Sequence, residues 1–325
     1  MSIKKRIQET LKKPYRFAVF YTISIILITV FVLVDTFIIP HGIVKVSAEG
    51  NENASVVSMA NVNESIEPTT IEEEQTTTEA LEVNPIISST GYTDDNIQIK
   101  IEEVSENGVV YYVADVLVSS AEYLKTALAE DTYGKNITAP TSEIASAHDA
   151  IFAINGDYYG FRDEGYVLRN GQLLRSTANG TDTEALVIDA NGNLSIVCEA
   201  EVSAESLQSQ GVQQILSFGP ALIIDGEVVT RNTKNGLRDN PRTAIGQVEE
   251  GHYVFVVVDG RTSESDGVTL EELGNIMLKY GCQTAYNLDG GGTATMWFKG
   301  EVINNPTDGK NDGERNVSDI VYIGY

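Results

Sequence analysis

Cysteine, histidine and basic side chains are all scarce in this 325-residue chain, which has two cysteines, three histidines and 22 lysines and arginines against 47 acidic residues. A formal charge of −25 excludes a general nucleic-acid binder, because a phosphate backbone demands a basic footprint. Cys198, Cys282, His41, His148 and His252 form no cluster at zinc-ligand spacing, which argues against a zinc enzyme. The few histidines and the lack of a Gly-x-Ser-x-Gly elbow also disfavour a serine or cysteine triad. Neither a P-loop nor a Gly-x-Gly-x-x-Gly fingerprint occurs, so a nucleotide is not the natural ligand. Two cysteines in a chain of this size leave one disulfide and two buried free thiols equally open.

The basic residues that exist are unevenly placed. Lys4, Lys5, Arg6, Lys12, Lys13 and Arg16 precede residues 17–34, a run of 18 positions without charge, glycine or proline. At ~1.5 Å per residue this run nearly crosses a ~30 Å hydrocarbon core, and residues 37–39 extend it past Asp35. It reads as one membrane-spanning helix over residues 17–39, with a basic cytoplasmic tail at residues 1–16 and everything after Pro40 outside the cytoplasm. The alternative is a signal peptide cleaved near Ala48, where Val46-Ser47-Ala48 offers small residues, but the apolar run exceeds the ~7–15 residues such a segment uses. Both readings export the remainder of the chain.

From residue 46 to 99 there is no lysine or arginine, and Glu, Thr, Asn and Ser dominate as far as Leu81. Such a composition buries too little apolar surface to order itself, so residues 40–90 read as a flexible acidic stalk. A domain follows over residues 91–325. Residues 97–101 alternate, residues 109–118 are rich in β-formers, and Ser119 or Ser120 is placed to cap a helix running to about Ala129. Asn170-Gly171, Asn191-Gly192 and Asp225-Gly226 each join two apolar runs, the signature of a hairpin. Thr269 to Glu272 is a capping box opening a helix that ends at Gly281. Buried strands are expected at residues 253–258, 284–288, 295–298 and 319–323. Hairpins with a few helices, and no strict βαβ alternation, indicate an α+β fold with a mixed, mostly antiparallel sheet and a few flanking helices.

Chemistry-bearing residues gather where apolar strands end. Residues 150–154 run into Asn155-Gly156-Asp157-Tyr158-Tyr159, residues 254–258 into Asp259-Gly260-Arg261, and residues 285–288 into Asp289-Gly290-Gly291-Gly292. Most Asp-Gly pairs are turns. Three consecutive glycines after Asp289 exceed what a turn needs; they let backbone approach a ligand closely and can offer a nest of N–H groups to an anion. Arg242, Arg261 and Arg315 each fall beside an expected strand end, and guanidinium forks suit phosphate because they bind it bidentately and stay charged. Residues 308–313 superficially resemble the start of a calcium loop with Asp319 at its twelfth position, but Lys310 occupies a ligand position and an exposed loop is the better reading.

Taken together in order, residues 152–159, 218–223, 241–246, 256–261, 287–292 and 315–321 resemble the phosphodiester glycosidase family, the uncovering-enzyme-like domain whose bacterial members are linked to exopolysaccharides. The resemblance spans about residues 95–325. It implies an extracytoplasmic hydrolase that cleaves the glycosidic bond of a sugar-1-phosphodiester in a cell-surface glycan or wall polymer. Carried onto this chain, it makes Asp289 and Asp259 the carboxylate pair about an oxocarbenium-like transition state. It makes Arg242, Arg261 and Arg315 the phosphate ligands, and it places Asn155, Asp157, Asn287 and the backbone of Gly290, Gly291 and Gly292 at the substrate. No cofactor is required, though a bound divalent cation such as calcium stays open. Two rivals remain at this point: a non-catalytic module that binds anionic polysaccharide, and a phosphodiesterase that cuts P–O.

Overall fold

A computed structural model of the chain describes residues 14–45, 85–229 and 236–325. Most of the expected cytoplasmic tail (residues 1–13) and residues 46–84 of the expected stalk lie outside the described residues. The first element is the helix Pro14–Phe37, within which Ala18–Phe37 is apolar and wholly unburied by protein. At ~1.5 Å per residue its 20 residues match a ~30 Å hydrocarbon core.

The domain is α+β, and every strand pairing among the described residues is antiparallel. A nine-stranded sheet runs in the order Glu227–Val228, Ala221–Ile224, Thr284–Leu288, Arg242–Glu249, His252–Val258, Val109–Val118, Ile97–Glu106, Gly91–Thr93 and Ile86–Ser88. A five-stranded sheet is ordered Glu301–Val302, Met296–Phe298, Phe152–Asn155, Asp319–Ile323 and Leu124–Leu128. A second one is ordered Gln172–Arg175, Val167–Arg169, Gln214–Leu216, Glu184–Ile188 and Leu194–Cys198.

The run His252–Val258 shows why these sheets stack. It is apolar at successive positions because both faces are covered, so it cannot show the in–out alternation of a half-exposed strand. Phe255 and Val257 join Ile99, Phe152, Ile154, Tyr286, Met296 and Val321 in a core between the nine-stranded sheet and the first five-stranded sheet. Val254, Val256 and Val258 point the other way, onto Leu270, Leu273 and Met277 of the helix Leu270–Lys279. That helix opens with the reciprocal Thr269–Glu272 capping box expected from the sequence. On the far side, the short helix Thr141–Ala147 covers Ala153, Trp297 and Ile320.

Two expectations change. Ser120 caps only a 3₁₀ turn, Ala121–Tyr123; no helix runs to Ala129, because Leu124–Leu128 is a strand paired with Asp319–Ile323. Strands also occupy both ends of the expected stalk. Ile86–Ser88 extends the nine-stranded sheet, and His41–Lys45 pairs with Thr132–Lys135.

Candidate active site

The nine-stranded sheet and its five-stranded partner are joined directly by residues 289–295, which leave the strand Thr284–Leu288 and enter Met296–Phe298. This crossing holds Asp289 and the three glycines. A network beneath it fixes its path. Asn155, wholly buried at the end of its strand, donates through Nδ2 to the Asp289 carbonyl (2.7 Å), while its Oδ1 accepts from Thr243 Oγ1 (2.7 Å) and the Thr295 amide (3.2 Å). The Asp289 amide donates to the Gly156 carbonyl (3.3 Å). Glycine is required at 290, since a Cβ there would lie 2.6 Å from the Pro241 carbonyl oxygen.

Asp289 stands on the divide between two basins. One, of about 880 Å³, is walled by Arg162, Arg238, Arg242, Arg261 and Arg315 and also holds Asp182, Glu184, Asn287, Gly219 and Pro220. The other, of about 530 Å³, is walled by Tyr158, Phe161, Phe218, Asp157, Thr138 and Thr293. Arg162, Phe218, Asp289 and Arg315 belong to both. Tyr158 and Phe161 stack with centroids 4.7 Å apart, and the Arg162 guanidinium lies 5.4 Å from the Tyr158 ring and 5.0 Å from that of Phe218. One basin is thus cationic and the other aromatic, with a carboxylate between them.

Burial pushes the Asp289 carboxyl above the usual carboxylate range, and Arg315, the Gly290 amide, Thr293 and Arg162 each pull it back. The Arg315 Nη2 lies 3.6 Å from Asp289 Oδ2 and donates to the Gly290 carbonyl at 3.2 Å. Burial and the neighbouring charge of Arg261 lower the Arg242 pKa. Crowded guanidinium groups of this kind gain when an anion enters between them. Arg261 itself has φ of +62°, donates to Asn240 Oδ1 (3.1 Å), and lies over Gly291, where any Cβ would come 3.0 Å from its Nη2. Asn287 donates to the Gly219 carbonyl (2.7 Å), but its buried Oδ1 has no partner although the residue lines the cationic basin. An acceptor in that state suits a ligand hydroxyl.

Asp289, Asn287, Arg242, Arg261, Arg315, Gly290 and Gly291 therefore meet at one cleft. Several other expected site residues do not. Asp259 lines neither basin: its carboxylate is buried against Asn304 Nδ2 (2.9 Å) and the Asn305 amide (3.1 Å), where burial raises its pKa and these donors hold a loop in place. No carboxylate pair of Asp289 with Asp259 forms. Asn155 supports Asp289 from below, with both side-chain ends already bonded. Asp157 borders the aromatic basin, yet its oxygens accept from Arg169 Nη2 (2.9 Å) and from the Ser217 and Tyr159 amides (3.0 and 2.9 Å). Gly292 lies outside both basins, and the expected nest of amides is not open: the Gly290 N–H is turned to Asp289 Oδ1 and that of Gly291 to the Pro241 carbonyl. Asp308 caps its own turn and Asp319 points inward to Arg169, so residues 308–319 do not form a calcium loop. Among the described residues, no three His, Cys, Asp or Glu side chains converge to hold a metal ion, and Cys198 and Cys282 are unpaired. Arg162, Arg238 and Glu184 are site residues that sequence reasoning missed, and Phe218 entered only as the start of the segment 218–223 with no role given; of the three, Arg162 carried a local signal, as a cation following the aromatic run 158–161.

The phosphodiester glycosidase family model matches residues 148–324, which take in the crossing, the cationic basin and all of the aromatic basin but Thr138. The chain belongs to the phosphodiester glycosidase family. It is 31% identical over 242 residues to the prophage-derived protein YomE of Bacillus subtilis, covering 67% of this chain and 37% of that one. Over 86 residues it is 38% identical to the N-acetylglucosamine-1-phosphodiester α-N-acetylglucosaminidase of Bos taurus, covering 25% of this chain and 16% of the bovine protein. The chain thus spans well under half the length of either relative. The catalytic domain of the zebrafish N-acetylglucosamine-1-phosphodiester α-N-acetylglucosaminidase has the same fold, with a TM-score of 0.57 at 21% identity over 70% of this chain and 83% of that one.

Proposed function

We propose that this protein is a membrane-anchored, extracytoplasmic hydrolase that cleaves the glycosidic bond of a sugar-1-phosphodiester in a surface glycan or wall polymer. The carrying observation is the position of Asp289 on the ridge between a basin of arginines and a basin of aromatic rings. A sugar-1-phosphodiester has the same polarity: an apolar-faced ring that stacks on aromatic side chains, an anionic phosphate, and the anomeric carbon between them. In that pose Asp289 faces the anomeric carbon. Its ionised carboxylate stabilises the positive charge that grows as the C1–O bond breaks. The bonding electrons leave with the phosphate oxygen, and Arg242, Arg261 and Arg315 hold the resulting charge. A phosphate is a good leaving group already, so the lack of a second carboxylate from Asp259 does not block the step. The oxygen of a water molecule then bonds to C1, the proton it gives up passes to the departing phosphate monoester or to solvent, and the Asn287 Oδ1 accepts from a substrate hydroxyl.

The variant Asp289→Asn tests this reading. It keeps the shape and most hydrogen bonds but removes the charge. We expect an unchanged melting temperature, substrate affinity within a few-fold, and a fall in kcat of about 10² to 10³, the cost of losing one transition-state charge partner. Wild-type turnover in the folded variant contradicts the assignment. A change of affinity alone, in a protein with no turnover, would instead favour a non-catalytic polysaccharide-binding module.

A further inference from the structure

The aromatic basin is larger than a single sugar ring requires. A pyranose displaces the volume of about six waters, ~180 Å³, whereas the basin holds about 530 Å³. Its walls also fall into two groups. Phe218, Arg162, Asp289 and Arg315 line both basins and mark the end next to the phosphate, while Thr138, Tyr158, Phe161 and Asn316 line the aromatic basin alone and lie away from that divide. Stacking surfaces follow the same division. Phe218 stands at the divide, and beyond Arg162 the ring of Tyr158 backs that of Phe161. Phe161 is 45% exposed, yet its turn is fixed: Asp157 Oδ1 accepts from the Tyr159 amide (2.9 Å), and Arg175 Nη1 donates to the Tyr159 and Arg162 carbonyls (3.1 and 2.6 Å). The fold thus holds an apolar ring open to solvent at the far end of the basin. Beside it, the bridge between Ala139 and Val317 buries both of those side chains in the core, and alternation along the chain turns Thr138 and Asn316 to the basin. An open aromatic face flanked by a hydroxyl and a carboxamide fits a second pyranose, whose C–H face stacks and whose rim of hydroxyls hydrogen-bonds. A lipid chain would leave that polar pair unused.

We propose that the aromatic basin has two sugar subsites, the first ring beside Phe218 and Asp289 and the second against Phe161, Thr138 and Asn316, and that the protein acts on an oligosaccharide-1-phosphodiester rather than on a single phosphorylated sugar. The cleaved bond rests on the glycosidase reading, whereas the second subsite is a matter of affinity and stands without turnover. Phe161 and Asn316 touch the sugar beyond the reacting one, in the ground state and the transition state alike, so they lower KM for the longer glycone and leave the barrier at C1 to Asp289.

The test uses the full chain in detergent, carrying Asp289→Asn so that bound phosphodiesters stay intact, and reads affinity by calorimetry. The probes are methyl phosphodiesters of both anomers of a hexose and of an N-acetylhexosamine, each as the single sugar and extended by one hexose at O3, O4 or O6. For the preferred sugar, at least one extended probe should bind about tenfold more tightly, the size of one aromatic stacking contact. Adding Phe161→Ala should bring the ratio of the two affinities to about one. Adding Asn316→Ala should lower that ratio part of the way, and both changes should leave the melting temperature in place, because the two side chains are exposed. With Asp289 restored, the same extended probe should show the lower KM and a kcat within a few-fold of the single sugar. Equal affinity for every extended probe and its single sugar overturns the second subsite, as does an equal loss on both in Phe161→Ala. If an extended probe binds more tightly and neither it nor the single sugar is cut by the wild-type chain, the second subsite stands and the glycosidase reading falls. If single sugars are cut with the same kcat/KM as every extended one, the reading stands and the second subsite falls. Binding of no probe overturns both.

Discussion

At Asp289 two influences oppose each other, and their balance sets the pH at which the site works. Burial favours the protonated acid, whereas Arg315, 3.6 Å away, favours the carboxylate. Since the proposed step needs the carboxylate, activity must rise with pH through a pKa that lies above the ordinary carboxylate range. Replacing Arg315 by Gln removes a cation that stabilises the ionised form, so the Asp289 pKa rises further. The acid limb of kcat/KM should therefore move to higher pH, as a full pH–rate profile would show; a limb that stays put, or moves to lower pH, is inconsistent with this pairing. Asp259 provides the contrast. Its carboxylate accepts from Asn304 and Asn305 away from both basins, so Asp259→Ala should lower stability by about 1 to 3 kcal/mol, measured by urea denaturation, with kcat retained. Sequence alone could not separate these two residues, because both follow an apolar strand and precede glycine. What distinguishes them is the partner each meets: Asp259 finds Asn304, 45 positions along the chain, while Asp289 keeps an open face. The three glycines after Asp289 were a legible signal because a close backbone crossing needs them. Arg238 and Glu184 were not, because nothing local marks which surface residues converge after folding.

The elements around the site are held by a buried ionic cluster. Arg169, at the end of the strand Val167–Arg169, is almost wholly buried and donates to Asp319 Oδ2 through Nε (3.1 Å) and Nη2 (2.6 Å) and to Asp157 Oδ2 (2.9 Å). It thereby ties the second five-stranded sheet to the first, and Asp157 in turn anchors the Ser217 amide beside Phe218. Burial, with Asp157 adding to it, drives the Asp319 pKa upward, and Arg169 opposes the shift. Gly156 leaves room for this cluster, as a Cβ there would overlap the Asp319 carboxylate. Removing one partner strands buried charge, so Arg169→Leu should cost about 3 to 5 kcal/mol of unfolding free energy, read from denaturant midpoints. A loss below about 1 kcal/mol would show that the cluster is dispensable. Locally encoded elements were readable in advance. The Thr269–Glu272 box, and the Asn170-Gly171 and Asp225-Gly226 turns with both residues at positive φ, follow from short-range chemistry. The strand Leu124–Leu128 was misread as helix because its partner, Asp319–Ile323, lies nearly 200 residues away. The same holds for His41–Lys45, whose pairing depends on a gap at Gly134 that no local pattern announces.

For the molecule as a whole, two stacked antiparallel sheets are joined by a chain crossing between the ends of two interior strands, and Asp289, on that crossing, faces both basins. The acidic surface makes the arginine basin distinctive: a chain of net charge −25 gathers five arginines around one cleft. That concentration suits an anion without saying which bond is cut. Cleavage at carbon and cleavage at phosphorus use the same grip and differ in where water enters. Hydrolysis of a sugar-1-phosphodiester by the full chain in ¹⁸O-labelled water decides it, because oxygen on a phosphate monoester does not exchange during the assay. If Asp289 acts at the anomeric carbon, mass spectrometry should find the released phosphate monoester free of ¹⁸O, with the label entering at the sugar C1 hydroxyl. A phosphate monoester carrying one ¹⁸O would contradict the account.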